Sequence, residues 1–435
     1  MTHASEFNPG LLDFLARSPT PFHATANLAT LLAAAGFEPL AETADWALKP
    51  GGRYYSIRND SSLIAFVMGT EALSRHGIRV LGAHTDSPCL MVRPNPEKTR
   101  RGYFQLGVEV YGGALLNPWF DRDLSLAGRV VVRDSASGRL RSRLVDFRRP
   151  LAVIPSLAIH LDREVNRNRS INAETDIQPL LGQLVGESTG DLRLLLAEEL
   201  AANGAAAGEV LDFELCLYDT QAPAQIGLCG EFIAAARLDN LLSCYVGVQA
   251  LLASHGNETR LVVCSDHEEV GSASASGAQG PFLESVLTRL VPDATERTRT
   301  LMASLLISAD NAHGVHPNFP ARHEDNHGPL LNRGPVLKVN TNQRYATNSV
   351  TAARLRQWAQ ETDVPLQTFV ARNDMGCGST IGPLTATRIG VPTLDLGVPT
   401  LAMHSIRELA GSADARSLFT LVTRCFDHPG LLAVD

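Results

Sequence analysis

Acids and histidines recur in this sequence where apolar runs stop: His84 and Asp86, Asp239, the run Asp266-His267-Glu268-Glu269, Asp310 and His404. Adjacent carboxylates such as Glu268 and Glu269 repel each other and lose solvation beside a buried strand unless a cation or water compensates them. A divalent metal would remove that cost. Zinc, cobalt and manganese all accept imidazole together with carboxylate. A pair of zinc ions needs about five protein ligands, one of them bridging, and His84, Asp239, Glu269, Asp310 and His404 have that composition. Glu268 is then left as general base on a metal-held water, and Asp86, two residues beyond His84, can accept the imidazole's second N–H. Solvated surface acids are the competing reading of the same residues. Taken singly, His84 reads as a core histidine and Asp239 as a helix N-cap.

Such chemistry needs elements that carry distant residues to one place. Thr20-Pro21 supplies a cap and a first-turn proline, and Leu28, Leu31, Leu32 and Ala35 follow at helical spacing up to Gly36. Leu63 to Met68 and Ile78 to Leu81 read as buried strands, the second running into Gly82-Ala83-His84-Thr85-Asp86. From about Arg93 the texture changes to short strands with turns: Phe104 to Tyr111, Gly128 to Arg133 and Arg139 to Asp146, with Ser137-Gly138 as a hairpin turn. A helix at Asp191 to Ala202 and a strand at Val210 to Tyr218 close this module. Alternation then resumes, with helices at Asp239 to His255, Pro281 to Leu290, Val350 to Glu361 and Ala413 to Phe426. The strands between them are Arg260 to Cys264, Leu305 to Ala309, Val336 to Val339, Leu366 to Val370 and Thr393 to Leu396. The order predicts an α/β sheet domain, 1–93 with 223–435, interrupted by a β-rich insertion at 94–222. In open α/β sheets the carboxyl ends of strands form the ligand crevice, where residues far apart in sequence converge.

The chain has 435 residues and a formal charge of −8, from 38 Lys+Arg and 46 Asp+Glu, so a nucleic-acid partner is not expected. No run reaches the ~18 to 20 uncharged apolar residues of a membrane helix, and the N-terminus lacks the pattern of a signal peptide. The expected compartment is the cytoplasm, with no membrane partner. Seven scattered cysteines without a C-x-x-C pair argue against a disulfide framework and against a thiolate zinc site. Gly376, Gly378 and Gly382 lack the lysine of a phosphate loop and fit better as a backbone wall beside a substrate. Cys377 among them raises a cysteine nucleophile that a metal set makes unnecessary. His316, His323 and His327, near Glu324 and Asp325, read as a solvated loop, with an accessory metal site as the alternative.

Six ordered blocks then resemble one family. GAHTDSP at 82–88, ARLDN at 236–240, DHEEVGS at 266–272, SADNAHGVHPN at 308–318, GPVLKVNTNQRYATN at 334–348 and LAMHSIRE at 401–408 are similar to the M18 metallopeptidases, the aspartyl aminopeptidases. NPWFDRDLSLAGRV at 117–130 and SLAIHLDR at 156–163 point to that family among the two-zinc peptidases. The resemblance implies an α/β/α sandwich around a mixed sheet, with the insertion serving dimerisation and substrate access. It implies two zinc ions per subunit: His84 and Asp310 on one, Glu269 and His404 on the other, Asp239 bridging, and Glu268 as general base. His160, His313 and Lys338 match the family's substrate-binding positions, His160 acting in a neighbouring subunit. Lys338 lies in a predicted strand, where a buried lysine needs an anion: the acidic side chain of a substrate, or a structural carboxylate of the protein. The implied function is removal of N-terminal residues, acidic ones preferred, from peptides by a dimer-built homo-dodecamer. The rival readings are another two-zinc amidohydrolase, a carboxypeptidase, and a catalytically silent shell of the same fold.

Overall fold

Apolar residues of alternating parity build a sheet buried on both faces. In the strand Ser62–Val67, Leu63, Ala65 and Val67 join one core while Ile64 and Phe66 join another. The strand Ile78–His84 divides in the same way, Leu81 and Ala83 against Ile78 and Val80. Side chains of successive strand residues point to opposite faces, so both faces need cover. The computed structural model, which describes residues 7–184, 190–204 and 208–430, supplies that cover with helices. Leu11, Leu28, Leu241, Trp358 and Leu418, from Phe7–Arg17, Pro21–Ala34, Leu238–Ala253, Ser349–Glu361 and Asp414–Phe426, fill one side. Val286, Leu287 and Leu290 of Phe282–Leu290 fill the other, with Leu301 and Ile389 packed beside them. The architecture is an α/β/α sandwich.

The sheet has nine strands, in the order Glu38–Pro39, Arg53–Arg58, Ser62–Val67, Thr259–Ser265, Ile78–His84, Leu305–Ala309, Thr393–Gly397, Val336–Lys338 and Gln367–Phe369. Its middle is parallel: Ser265 lies opposite His84, Ser308 opposite Gly82, and Ala309 opposite Leu396. Ser62–Val67 and Val336–Lys338 run antiparallel to their inner neighbours, which makes the sheet mixed. The C-terminal ends of the parallel strands therefore share one edge, and there the chain continues into Asp86, Asp266 to Glu269 and Asp310. A smaller sheet joins Ala224–Ile226, Phe232–Ala235, Glu408–Gly411, Pro399–Leu401 and Ala312–His313.

These elements belong to one compact unit, residues 1–86, 223–403 and 408–435; residues 87–222 and 404–407 form a second. In the second, six antiparallel strands run in the order Leu140–Asp146, Leu124–Asp134, Gly208–Asp219, Cys89–Arg100, Tyr103–Tyr111 and Leu180–Gln183. Their core holds Leu90, Leu106, Trp119, Leu126 and Leu215, with Leu196 from the helix Leu192–Ala202. The texture change read at Arg93 falls inside the strand Cys89–Arg100. Pro94 and Pro96 lie there, between Val92 and Glu97, where the pairing shifts register; prolines lack the N–H a ladder needs.

Among the described residues, five helices escape the sequence reading: Phe7–Arg17, Leu73–His76, Val165–Asn168, Ala294–Met302 and Ile381–Ile389. The last opens on Ile-Gly-Pro, residue types that signal loops, although a first-turn proline costs no intrahelical bond. Its Gly382 is a packing device. A Cβ there would lie 2.6 Å from Asp395 Oδ1 and 2.9 Å from the Ser308 Cβ. At Gly376 and Gly378 a Cβ would meet nothing within 4 Å, so close approach explains only the third of these glycines. Among the described residues, no helix is long and apolar enough to cross a membrane. Gly382→Ala is expected to lower stability by about 1–3 kcal/mol through overpacking, read as a lower denaturation midpoint at unchanged m-value; an unaltered midpoint contradicts this packing account.

Candidate active site

His84, Asp86, Asp239, Glu268, Glu269 and Asp310 meet within the first unit. His84 ends its strand and is 1% exposed. Its Nδ1 faces the Asp86 carbonyl at 3.0 Å and Asp86 Oδ1 at 3.3 Å. Its Nε2 is left facing Asp239 Oδ1 at 3.4 Å, Asp310 Oδ1 at 3.7 Å and Glu268 Oε2 at 4.0 Å. The two ring nitrogens thus have different tasks, one orienting and one turned toward the acids.

Asp86 does more than its position after His84 suggests. Its Oδ1 accepts the Glu268 N–H and its Oδ2 the Glu269 N–H, both at 3.1 Å. One buried carboxylate therefore orients the imidazole and fixes the turn carrying both glutamates. That turn is short and tightly wound: His267 and Gly271, on either side of Glu268–Val270, have left-handed backbones with φ of 62° and 94°. Asp239 is not a helix N-cap. It lies at a break in Leu238–Ala253, where Asp239 and Asn240 leave helical geometry and Arg237 occupies the cap position. The Asp239 N–H donates to Glu408 Oε2 at 2.9 Å, and Asn240 Nδ2 donates to the Ala309 carbonyl at 2.7 Å.

Burial raises the pKa of Glu268 to about 7, with His84 opposing and Asp310, Asp239 and Asp86 adding to it. Glu269 rises to about 10, from burial and then the Asp239 charge. Burial works against the His84 imidazolium, yet contact with Asp239, Asp310 and Asp86 outweighs it and holds its pKa well above the ordinary value. Asp310 is the exception among the acids. Burial opposes its ionisation, but the Lys338 ammonium and His84 hold its pKa well below the usual range.

The chemistry of this donor set suits zinc. Ligand atoms of His84, Asp239 and Asp310 lie within 4.8 Å of one another, as do those of His84, Glu268 and Glu269. His404 belongs to the second unit, where its carbonyl accepts the Leu115 N–H at 3.0 Å and its Nδ1 faces the Gly113 carbonyl at 3.2 Å. His160 is also in the second unit, exposed on a turn. His313 is exposed three residues after Asp310 and lines a cavity of about 260 Å³ with Arg322, His323, Phe369, Arg372 and Met375. His316, His323 and His327 join no metal-ligand group among the described residues. His327 pairs with Glu324, and His323 Nε2 faces the His313 carbonyl at 3.1 Å.

Lys338 is 2% exposed, its Nζ 3.3 Å from Asp310 Oδ2 and 3.0 Å from the Asn311 carbonyl. A carboxylate of the protein is therefore beside it. Its ammonium also lies 5.2 Å from the ring centre of Tyr345, a buried residue that no periodicity marked. Burial, and then a hydrogen bond with Cys377, pushes the Tyr345 pKa up; tyrosine contact is what the structure shows for that cysteine.

Residues 14–426 match the family described as Aminopeptidase I zinc metalloprotease (M18). The chain belongs to the M18 family of zinc aminopeptidases. A probable M18 family aminopeptidase 2 of Azotobacter vinelandii is 59% identical over 426 residues, 98% of this chain and 99% of that protein. One from Pseudomonas aeruginosa PAO1 is 60% identical over 415 residues, covering 95% and 96%. Among solved structures, the chain titled as the Ape4 and Nbr1 complex superimposes with a TM-score of 0.94 at 42% identity, over 98% of this chain and 86% of that one. Chaetomium thermophilum mApe1 gives 0.86 at 33%, over 97% of both. The chain is thus a peptidase of a zinc-dependent family, and the acids at the sheet edge form a cluster that could hold a metal ion.

Without metal, Glu268, Glu269 and His84 bind protons in the folded state that the unfolded chain releases. The metal-free protein is expected to lose stability as pH rises from about 4.5 through about 7 toward about 10. Zinc should flatten the decline by replacing those protons. Melting temperatures of metal-free and zinc-loaded protein across that range check this, and a metal-free midpoint that rises with pH would falsify it.

Proposed function

We propose that this chain is a dinuclear zinc aminopeptidase that cleaves the first peptide bond of peptides, preferring N-terminal Asp or Glu. The observation that carries the reading is the meeting of His84, Asp239 and Asp310 in one ligand group, with Glu268 and Glu269 gathered with the same His84 in a second; Glu269 is assigned to metal and Glu268 to proton transfer. In this assignment His84 and Asp310 would hold one ion and Glu269 and His404 the other, with Asp239 available to both. Cobalt or manganese would satisfy the same donors. Zinc bound there supplies Lewis-acid polarisation of the scissile carbonyl and an acidified water. Glu268, with a pKa near 7 before metal binds, takes the proton from the attacking water and returns it to the leaving amine. Asp86 holds Glu268 in place and fixes the His84 ring.

Acidic preference rests on Lys338 and His313. An ammonium has three donors; Asn311 and Asp310 engage two directions of Lys338, and the third is assigned to the substrate carboxylate. His160 is assigned to the active site of a neighbouring subunit. It stands on a turn with Leu157, Ile159 and Leu161 exposed by 59%, 46% and 74%, an apolar surface suited to a subunit contact. A solved relative, titled S. cerevisiae mApe1 dodecamer, shares 29% identity at a TM-score of 0.84, and a homo-dodecamer in the cytoplasm is proposed here.

The test assays Asp-, Glu-, Leu- and Lys-anilides before and after chelation, with N-acetylated peptides as controls. Free acidic substrates should be cleaved fastest, acetylated ones not at all, and chelation should abolish turnover. Glu268→Gln should keep its zinc and lose about 10²-fold or more in kcat. Lys338→Met should lower kcat/KM for Asp-anilide relative to Leu-anilide by about tenfold or more, as a lost charge-assisted hydrogen bond implies. Activity that survives complete metal removal, or faster cleavage of blocked peptides, overturns the proposal.

A further inference from the structure

The backbone around Asp239 has an irregular course, and a carboxylate outside the ligand set secures it. Arg237 is left-handed at φ 61°, Asp239 has ψ 105°, and Asn240 has φ −126°. An N–H at such a break has no acceptor from its own helix. The strands Phe232–Ala235 and Glu408–Gly411 pair as far as Ala235 opposite Glu408. Beyond that last pair, the Glu408 side chain, 2% exposed, reaches the Asp239 N–H through Oε2 at 2.9 Å. Asn240 Nδ2 meets the Ala309 carbonyl at 2.7 Å, directly before Asp310. The peptide is thus tied to the small sheet on one side and to the large sheet on the other. Between these anchors the Asp239 carboxylate points at His84.

We infer that Glu408 is a positioning residue of the metal centre: by binding the Asp239 N–H it sets the direction of the carboxylate proposed to bridge the two ions. The inference rests on the dinuclear reading. The contact is to the backbone of Asp239 and leaves the Asp239 carboxylate itself turned to His84. Glu408 ends the block that begins with Leu401, so one segment carries both His404 and the anchor of Asp239.

Glu408→Met keeps the bulk and removes the acceptor; Glu408→Gln keeps a weaker, neutral one. Zinc affinity is measured by competition with a chromophoric chelator, site geometry by the visible spectrum of the cobalt-substituted protein, and stability by melting of the metal-free form. The Met variant should lose about 10- to 100-fold in zinc affinity with an altered cobalt spectrum and little change in metal-free melting. The Gln variant should fall between, at about fivefold. A merely structural Glu408 would lower the metal-free melting temperature and leave affinity and spectrum unchanged, and that result overturns the inference alone. If the Met variant does not fold, wild-type affinity in the Gln variant overturns it equally. A wild-type chain that retains no zinc overturns both the inference and the dinuclear reading.

Discussion

The Asp86 carboxylate is the contact on which the site depends. It touches His84 through one oxygen and accepts the amides of Glu268 and Glu269 through both. Those residues come from two different parallel strands, Ile78–His84 and Thr259–Ser265, paired in register up to Ser265 opposite His84. Register alone brings the strand ends level. The carboxylate converts level ends into an oriented imidazole and an oriented pair of glutamates.

The cost of this construction is electrostatic. Burial lifts Glu268 to about 7 and Glu269 to about 10, so folding the bare chain forces protons onto groups that would otherwise ionise. Lys338 relieves part of that crowding by standing beside Asp310, holding its pKa low while those of Glu268 and Glu269 are raised. Neighbouring carboxyl groups with pKa values pushed far apart are the mark of a site organised around charge. The chain belongs to a zinc aminopeptidase family, and the same desolvation that weakens the bare chain favours a divalent cation at these acids.

The supporting structure is economical in where it uses irregular backbone. Left-handed residues at Arg237 and His267 and the helix break at Asp239 lie next to functional side chains, whereas the strands leading to them are regular and buried. Gly382 shows the same logic in packing. Its missing side chain admits Asp395, which accepts the Thr380 hydroxyl at 2.5 Å and the Ala346 N–H at 2.6 Å. A buried carboxylate thereby ties the glycine-rich segment to the loop that carries Tyr345.

The sequence by itself determined the residue types of the site and the sandwich that holds them. Continuous apolar runs mark strands buried on both faces, and the acids and histidines where such runs stop, with Asp239 at a helix start, made His84, Asp239, Glu268, Glu269 and Asp310 legible as a candidate set beside the reading as solvated acids. Elements hidden from it included strands of two to four residues in the small sheet and a helix opening on Ile-Gly-Pro, whose signals are not periodic; the helix Phe7–Arg17 was missed although Phe7, Leu11, Phe14 and Leu15 recur at helical spacing. Only the tertiary structure decided what each acid does. Asp239 reads from local pattern as an N-cap, and instead faces His84 in the candidate ligand group, its backbone held away from helical geometry by Glu408 and Asn240. Asp86 reads as a partner of one histidine, and proves to clamp two glutamates 182 and 183 residues away. Local sequence can encode a side chain and its strand, but the direction of a carboxylate is set by hydrogen bonds from distant segments, and these exist only once the sheet has brought them together.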